Sequence, residues 1–298
     1  MEKYLKKINK IQLLKYGSGI MNAKLPIVDL QIDDLMSRLD DDCDWLEERE
    51  KLKSLIDQGA PIYRQWPLKL IDDYCGDSKD FHILDYGCGT GILNILLLLK
   101  GYAQVDGVDV IEKFDKKTLD NLQFHNASFE LIKENTRLPF VDSSFDIVTS
   151  SLVLEHVKDL DYYYSEAARV LKPGGVCFFN FPHRLKPYDS HSKCWFIHYF
   201  PKAVRRVLWD VFARQDGTYL NDYLFLKTIR THKKIAGKYF SCTEDRSFER
   251  IKHNNIVNNK KGTTLRYLLA RLCNLKYVGD IFAKIIVKNA SADLFLIK

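Results

Sequence analysis

Hydrophobic and polar positions change period near residue 82. From there, short apolar runs of strand length alternate with longer segments whose apolar residues recur every three or four positions. Strands are predicted at 82–86, 104–110, 128–133, 144–150 and 174–181, with helices at 91–100, 112–125 and 159–172 between them. Alternation of this kind implies a parallel sheet with helices on both faces and right-handed crossovers. A last apolar run, 293–298, reads as a strand returning to the same sheet, paired with 239–244. Before residue 82 the pattern is helical and irregular. Residues 1–25 form a basic amphipathic segment with Tyr4, Leu5, Ile8 and Ile11 toward one side. The chain thus divides into a helical extension (1–78), an α/β core (79–182), a helical cap (183–238) and a segment completing the sheet (239–298).

The first strand runs straight into HILDYGCGTG, residues 82–91, where Gly87, Gly89 and Gly91 stand at alternate places. Glycine there removes side chains where the backbone must bend sharply and let a ligand approach. The turn lies at the carboxyl end of the first strand, where ligands of open α/β sheets sit. About twenty residues on, the second strand ends at Asp109, a spacing that places a carboxylate on the hydroxyls of a ribose. Asp106 lies inside that strand and is the weaker candidate. These features predict a nucleotide-like cofactor and suit a dinucleotide equally well.

Composition narrows the classes. The 298 residues are 46% hydrophobic and 28% charged, ordinary for a globular protein. No apolar run approaches the roughly 20 residues needed to cross a bilayer. The first residues have lysines spread through them and no uninterrupted apolar core, unlike a secretory signal. Seven scattered cysteines without a C-x-x-C pair argue against a disulfide framework or a zinc site, and no metal is expected. The expected location is the cytoplasm, with peripheral contact at the inner membrane face as an extension of that reading. The net charge of +6 is uneven: residues 184–266 carry 18 Lys/Arg against seven Asp/Glu, whereas 28–50 hold ten acidic residues. Such a basic surface attracts phosphates or anionic lipid headgroups.

Three further blocks separate the cofactor classes: ENTRLPF (134–140), VDSSFDIVTSSLVLEHV (141–157) and ARVLKPGGVCFFNFP (168–182). With the glycine turn and Asp109 they resemble, in order and spacing, the class I S-adenosylmethionine-dependent methyltransferases of the group that includes the quinone-biosynthesis enzymes. The resemblance covers residues 82–182, about a third of the chain. It implies a Rossmann-like α/β fold with a seven-stranded, mostly parallel sheet, and S-adenosyl-L-methionine as cofactor. It also implies site residues. Asp85 and Tyr86, with Gly87, Cys88, Gly89 and Gly91, would line the methionine moiety. Asp109 and Val110 would hold ribose and adenine. Glu134 and Asn135 stand where the family has Asp-Ala beside the adenine amine. Ser151 and Leu152 would flank the transferred methyl, while Leu154 and Cys88 read as packing residues. A sulfonium cation without phosphate calls for carboxylates more than for a helix-terminus anion hole.

Methyl transfer to a hydroxyl gains from a base that takes its proton. His183 and His191 are the leading candidates, ahead of His198 and His156. In the cap, PKAVRRVLWDVFARQ (201–215) places Val204, Val207, Leu208, Val211 and Phe212 on one face, with Arg205, Arg206 and Arg214 away from it. That face reads as packed on the core, with a bilayer surface as the rival partner. The acceptor is expected to be small or lipid-linked, with a sugar or glycan hydroxyl first. A quinone-type ring, an RNA or a catalytically silent cofactor-binding subunit are the alternatives. Nucleic acid is disfavoured because TSSL stands where an amine-methylating N/D-P-P-Y/F tetrapeptide would be. The sequence leaves the oligomeric state open.

Overall fold

A computed structural model describes residues 62–89, 91–111, 127–186, 189, 194–212, 223–249 and 291–298. The amino-terminal segments through residue 61, the helix expected at 112–125, and His191 lie outside these residues. The described elements are α1 (Ile62–Cys75), β1 (His82–Tyr86), α2 (Ile92–Leu99), β2 (Gln104–Asp109), β3 (Phe129–Leu131), β4 (Phe145–Ser151), α3 (Leu160–Val170), β5 (Leu171–Phe181), α4 (Lys202–Phe212), α5 (Ile229–Ala236), β6 (Cys242–Asp245) and β7 (Ala292–Ile297). The seven strands form one sheet in the order β3-β2-β1-β4-β5-β7-β6. β1 pairs in parallel with β2 and β4, and β2 with β3; β7 runs antiparallel to β5 and β6. The Rossmann-like class I methyltransferase fold expected from the sequence is borne out. The order reverses at β1, with β2 on one side and β4 on the other, and such a switch point opens a crevice at the strand tips.

By its contacts the chain falls into two compact units, Met1–Thr149 with Val170–Gly175, and Ser150–Arg169 with Val176–Lys298. In the first, Ile83, Leu84, Val105, Val108, Ile147 and Val148 fill the sheet, and Leu93, Leu96 and Leu97 of α2 are buried with them. Asp106 proves to be a strand tie. Its carboxylate meets His82 Nε2 at 2.6 Å and accepts from Ser128 N and Oγ, both at 2.9 Å. Asp72 of α1 likewise gathers the Tyr102 hydroxyl (2.7 Å), Lys79 and Lys100. Burial works against its ionisation, but these donors win and hold its carboxyl below the usual range.

The second unit has an aromatic core: Tyr164 lies 5.7 Å from Phe179, and Phe178 lies 5.3 Å from Phe295. Helix α3 stops at Val170 and β5 starts at Leu171, two residues earlier than the helix end predicted from sequence. Lys172 precedes Pro173, and a residue before proline is pushed out of the helical region.

The expected face of α4 is corrected. Val204 and Val207 are exposed, Arg206 is exposed beside them, and Arg205 is buried at 8% exposure. Leu208 does pack inward, against buried Ile197 and Leu224. The amphipathic pattern assumes that valines seek the core. Here the guanidinium takes the inner position because His198 and Asp189 wait there.

His232 of α5 stacks on Phe181 at 4.0 Å, and its Nδ1 meets the Tyr164 hydroxyl at 2.9 Å. Burial, helped by the charges of His183 and Lys227, pushes it down to about 3 from an ordinary 6.5. Its folded pKa is depressed, so between these two values the unfolded chain binds a proton that the folded chain does not. Stability is therefore present above pH 6.5 and lost as the pH falls toward 3. Denaturant unfolding should show His232 contributing about 2 kcal/mol of lost stability between pH 6.5 and 5. His232→Gln should flatten that slope; an unchanged slope would exclude the residue as its source.

Candidate cofactor and acceptor sites

The glycine turn is built by β1 ending against β2. Gly87, Gly89 and Gly91 have φ of 87°, 58° and 74°, where other residues are strained. Gly91 caps α2, and a Cβ there would come within 2.9 Å of the Phe129 ring. Gly107 opposite Asp85 has no room either: a Cβ would stand 3.0 Å from Cys88 Sγ, Asn94 Nδ2 and Phe129 Cδ1. Asn94 Nδ2 donates to the Asp106 carbonyl at 3.0 Å, drawing α2 onto β2. Cys88, fully buried in this contact, is placed as a packing residue.

The described amides of this turn are already used. Gly87 N and Cys88 N donate to the Val108 carbonyl at 2.8 and 3.0 Å, and Gly91 N to the Cys88 carbonyl at 3.0 Å. Gly89 N donates to Asp109 Oδ2 at 2.8 Å. A phosphate cradle needs such amides pointing at the ligand. Those at 87, 88, 89 and 91 are turned to protein acceptors, so among the described residues the turn presents bare backbone and no anion nest. That fits a ligand without phosphate.

Asp109 has its other oxygen on the Ile111 amide at 3.0 Å. A carboxylate oxygen has two lone pairs, so each retains one for a ribose hydroxyl. The residues beside it suit an adenine. Val110 and Ile111 are exposed apolar side chains following β2, as is Leu131, the partner of Asp109 in β3. Glu134 and Asn135 form an exposed turn, with Asn135 at φ 54°. Asp85 and Tyr86 are buried at the end of β1, Asp85 completely. The donor set of carboxylates, apolar surface and open turn thus fits S-adenosylmethionine. Bound there, ribose would fall to Asp109 and adenine to Val110 and its neighbours.

The second unit carries the remaining predicted residues. Ser151, ending β4, has its hydroxyl buried without a hydrogen-bond partner among the described residues. An unsatisfied buried hydroxyl costs about 1–3 kcal/mol, which a ligand's polar group would relieve. Leu152 is exposed with φ 60°, a strained conformation for a leucine, while its amide donates to the Asn180 carbonyl at 2.8 Å. Leu154 is fully buried, as a packing residue would be. Residues 223–228, outside any helix or strand, are stitched to two loops of this unit. Phe225 N donates to the Glu155 carbonyl at 2.7 Å and Arg184 N to the Lys227 carbonyl at 3.0 Å.

The histidines differ in what their partners allow. His156 Nδ1 lies 2.8 Å from the Tyr223 carbonyl, which can only accept, so neutral His156 has its hydrogen on Nδ1 and Nε2 is the acceptor. His183 is the reverse. It is buried, and its Nδ1 accepts from Leu185 N at 3.2 Å, so neutral His183 holds its hydrogen on Nε2. A base role for His183 therefore needs the other tautomer. His198, also buried, lies between Arg205 Nη1 and Asp189 Oδ1, each at 3.4 Å, in a buried charge cluster. The ranking by sequence position put His156 behind His183 and His191. Its advantage comes from a backbone carbonyl 67 residues away, which no local pattern reveals.

Residues 84–179 match the family described as "Methyltransferase domain". The ubiquinone biosynthesis O-methyltransferase of Neisseria meningitidis is 31% identical over 146 residues, 46% of this chain and 56% of that protein. The demethylmenaquinone methyltransferase of Tropheryma whipplei is 36% identical over 114 residues, 37% of this chain and 46% of that protein. The chain thus spans about half the length of these two relatives. A demethylmenaquinone methyltransferase of Chlorobaculum parvum is 26% identical over 196 residues, 60% of this chain and 77% of that protein.

Asp109→Ala should weaken S-adenosylmethionine binding about 10- to 100-fold by calorimetry, since it removes charge-assisted hydrogen bonds and loosens Gly89. Wild-type affinity would remove Asp109 from the site.

Proposed function

We propose that this class I S-adenosylmethionine-dependent methyltransferase O-methylates a ring hydroxyl of a hydrophobic, quinone-type acceptor, with His156 taking the hydroxyl proton. The observation that carries the chemistry is the hydrogen bond from His156 Nδ1 to the Tyr223 carbonyl. It fixes the tautomer a base requires and orients the ring. The acceptor class draws support from the relatives, whose names specify ubiquinone biosynthesis and demethylmenaquinone. The sugar or glycan acceptor expected from sequence has no counterpart in those names.

Bound, S-adenosylmethionine supplies an electrophilic methyl on a sulfonium sulfur. The chain's own residues then have three tasks. Asp109 anchors the donor and Gly89 together, so the turn is already shaped when the ligand arrives. Tyr223 and Phe225 hold the 155–156 loop through their backbone. His156 Nε2 would accept the hydroxyl proton as the acceptor oxygen takes the methyl and the donor sulfur keeps the electron pair of the broken S–CH₃ bond, so no oxonium builds up on the acceptor.

His156→Gln should lower kcat by about 10²–10⁴ with a catechol-type quinone precursor while leaving S-adenosylmethionine affinity unchanged. An unaltered kcat would return His156 to a structural role. Methylated product with a sugar acceptor alone would overturn the quinone assignment.

A further inference from the structure

The exposed side chains of α4 include apolar ones that a surface helix would turn inward. The helix presents Val204 and Val207, the latter 62% exposed, while Arg205 between them is buried. Burying a guanidinium is costly without partners, and exposed valines leave apolar surface in water. The turn just before the helix adds to the same exposed set. Trp195 is 66% exposed, Phe196 and Tyr199 are exposed, and their rings follow one another at 6.0 and 5.7 Å. Phe196 is held at φ 59°, and the Tyr199 hydroxyl is fixed on the Leu185 carbonyl at 2.7 Å. These rings are therefore built outward. Leu208 and Ile197 join the helix and the turn from beneath, so the two present one platform.

Among the described residues of this platform, the exposed charges share one sign. Lys202, Arg206 and Arg184 are exposed around the apolar side chains. Between 184 and 208 the only carboxylate in the sequence is Asp189, and it is buried. Trp and Tyr with apolar neighbours and a ring of Lys/Arg match the headgroup boundary of an anionic bilayer. A water-facing surface has no use for that combination, and a protein partner would need matching carboxylates at its rim.

We infer that the α4 platform, with Trp195, Phe196, Tyr199, Val204 and Val207 inserted and Lys202 and Arg206 at the headgroups, docks this protein on an anionic membrane surface. This goes beyond the acceptor assignment and does not depend on it, because docking is read without any methyl acceptor.

Flotation of the full chain with phosphatidylcholine vesicles, with and without phosphatidylglycerol, tests this. The wild type should float with the anionic vesicles, less so at high salt. Val204→Glu with Val207→Glu should cut the bound partition about tenfold or more, as should Lys202→Glu with Arg206→Glu. All four positions are exposed, so unchanged circular dichroism and S-adenosylmethionine affinity should accompany the loss. Absence of vesicle binding by the wild type, or wild-type binding by both variants, overturns the inference. So does light scattering that shows a lipid-free dimer dissolved by Val204→Glu with Val207→Glu, which would assign the face to a second copy.

Discussion

The Asp109 carboxylate holding the Gly89 amide is the contact on which the cofactor end of this molecule depends. It joins the tip of β2 to the turn after β1, and so couples the carboxylate expected to meet a ribose to the bend beside it. The same turn spends its remaining described amides on Val108 and Cys88. A glycine turn of similar spelling can serve a dinucleotide, whose phosphates need exposed amides. Here the described amides face protein, and the negative charges stand at the strand ends. The chemistry of the site is set by where the N–H groups point.

Close packing makes that turn possible. Gly107 leaves room for Cys88, Asn94 and Phe129, and Gly91 leaves room for the Phe129 ring. The glycines therefore serve two purposes, a left-handed bend in the turn and a side-chain-free floor in β2. Asp106 meanwhile ties β1, β2 and the entry to β3, so that Asp109, three residues on, sits on a fixed support.

In the second unit, polar partners decide the character of each histidine. His232 is kept neutral by burial among Phe181 and Tyr164, His198 belongs to a charge cluster, and neutral His183 accepts on Nδ1 with its hydrogen on Nε2. His156 alone among the described histidines near the strand ends is oriented by a carbonyl on Nδ1. The cap helix follows the same logic. Arg205 goes inward to His198 and Asp189, and two valines are left facing out. Hydrophobic periodicity could not foresee this, since it assigns arginine to water and valine to the core.

The strands, the sheet and the cofactor turn were legible in the sequence because each depends on local pattern: apolar runs of strand length, alternate glycines, and an acid one strand later. Even the return of the last strand to pair near 242–245 followed from its apolar run. What the tertiary structure alone decided concerns partners far apart in the chain. The role of Asp106, the tautomers of His156 and His183, and the burial of Arg205 rest on contacts with residues that the fold brings near. A residue's period tells which way it should face in an isolated element. Its protonation, and whether a charge can be buried, depend on the atoms that meet it from other segments.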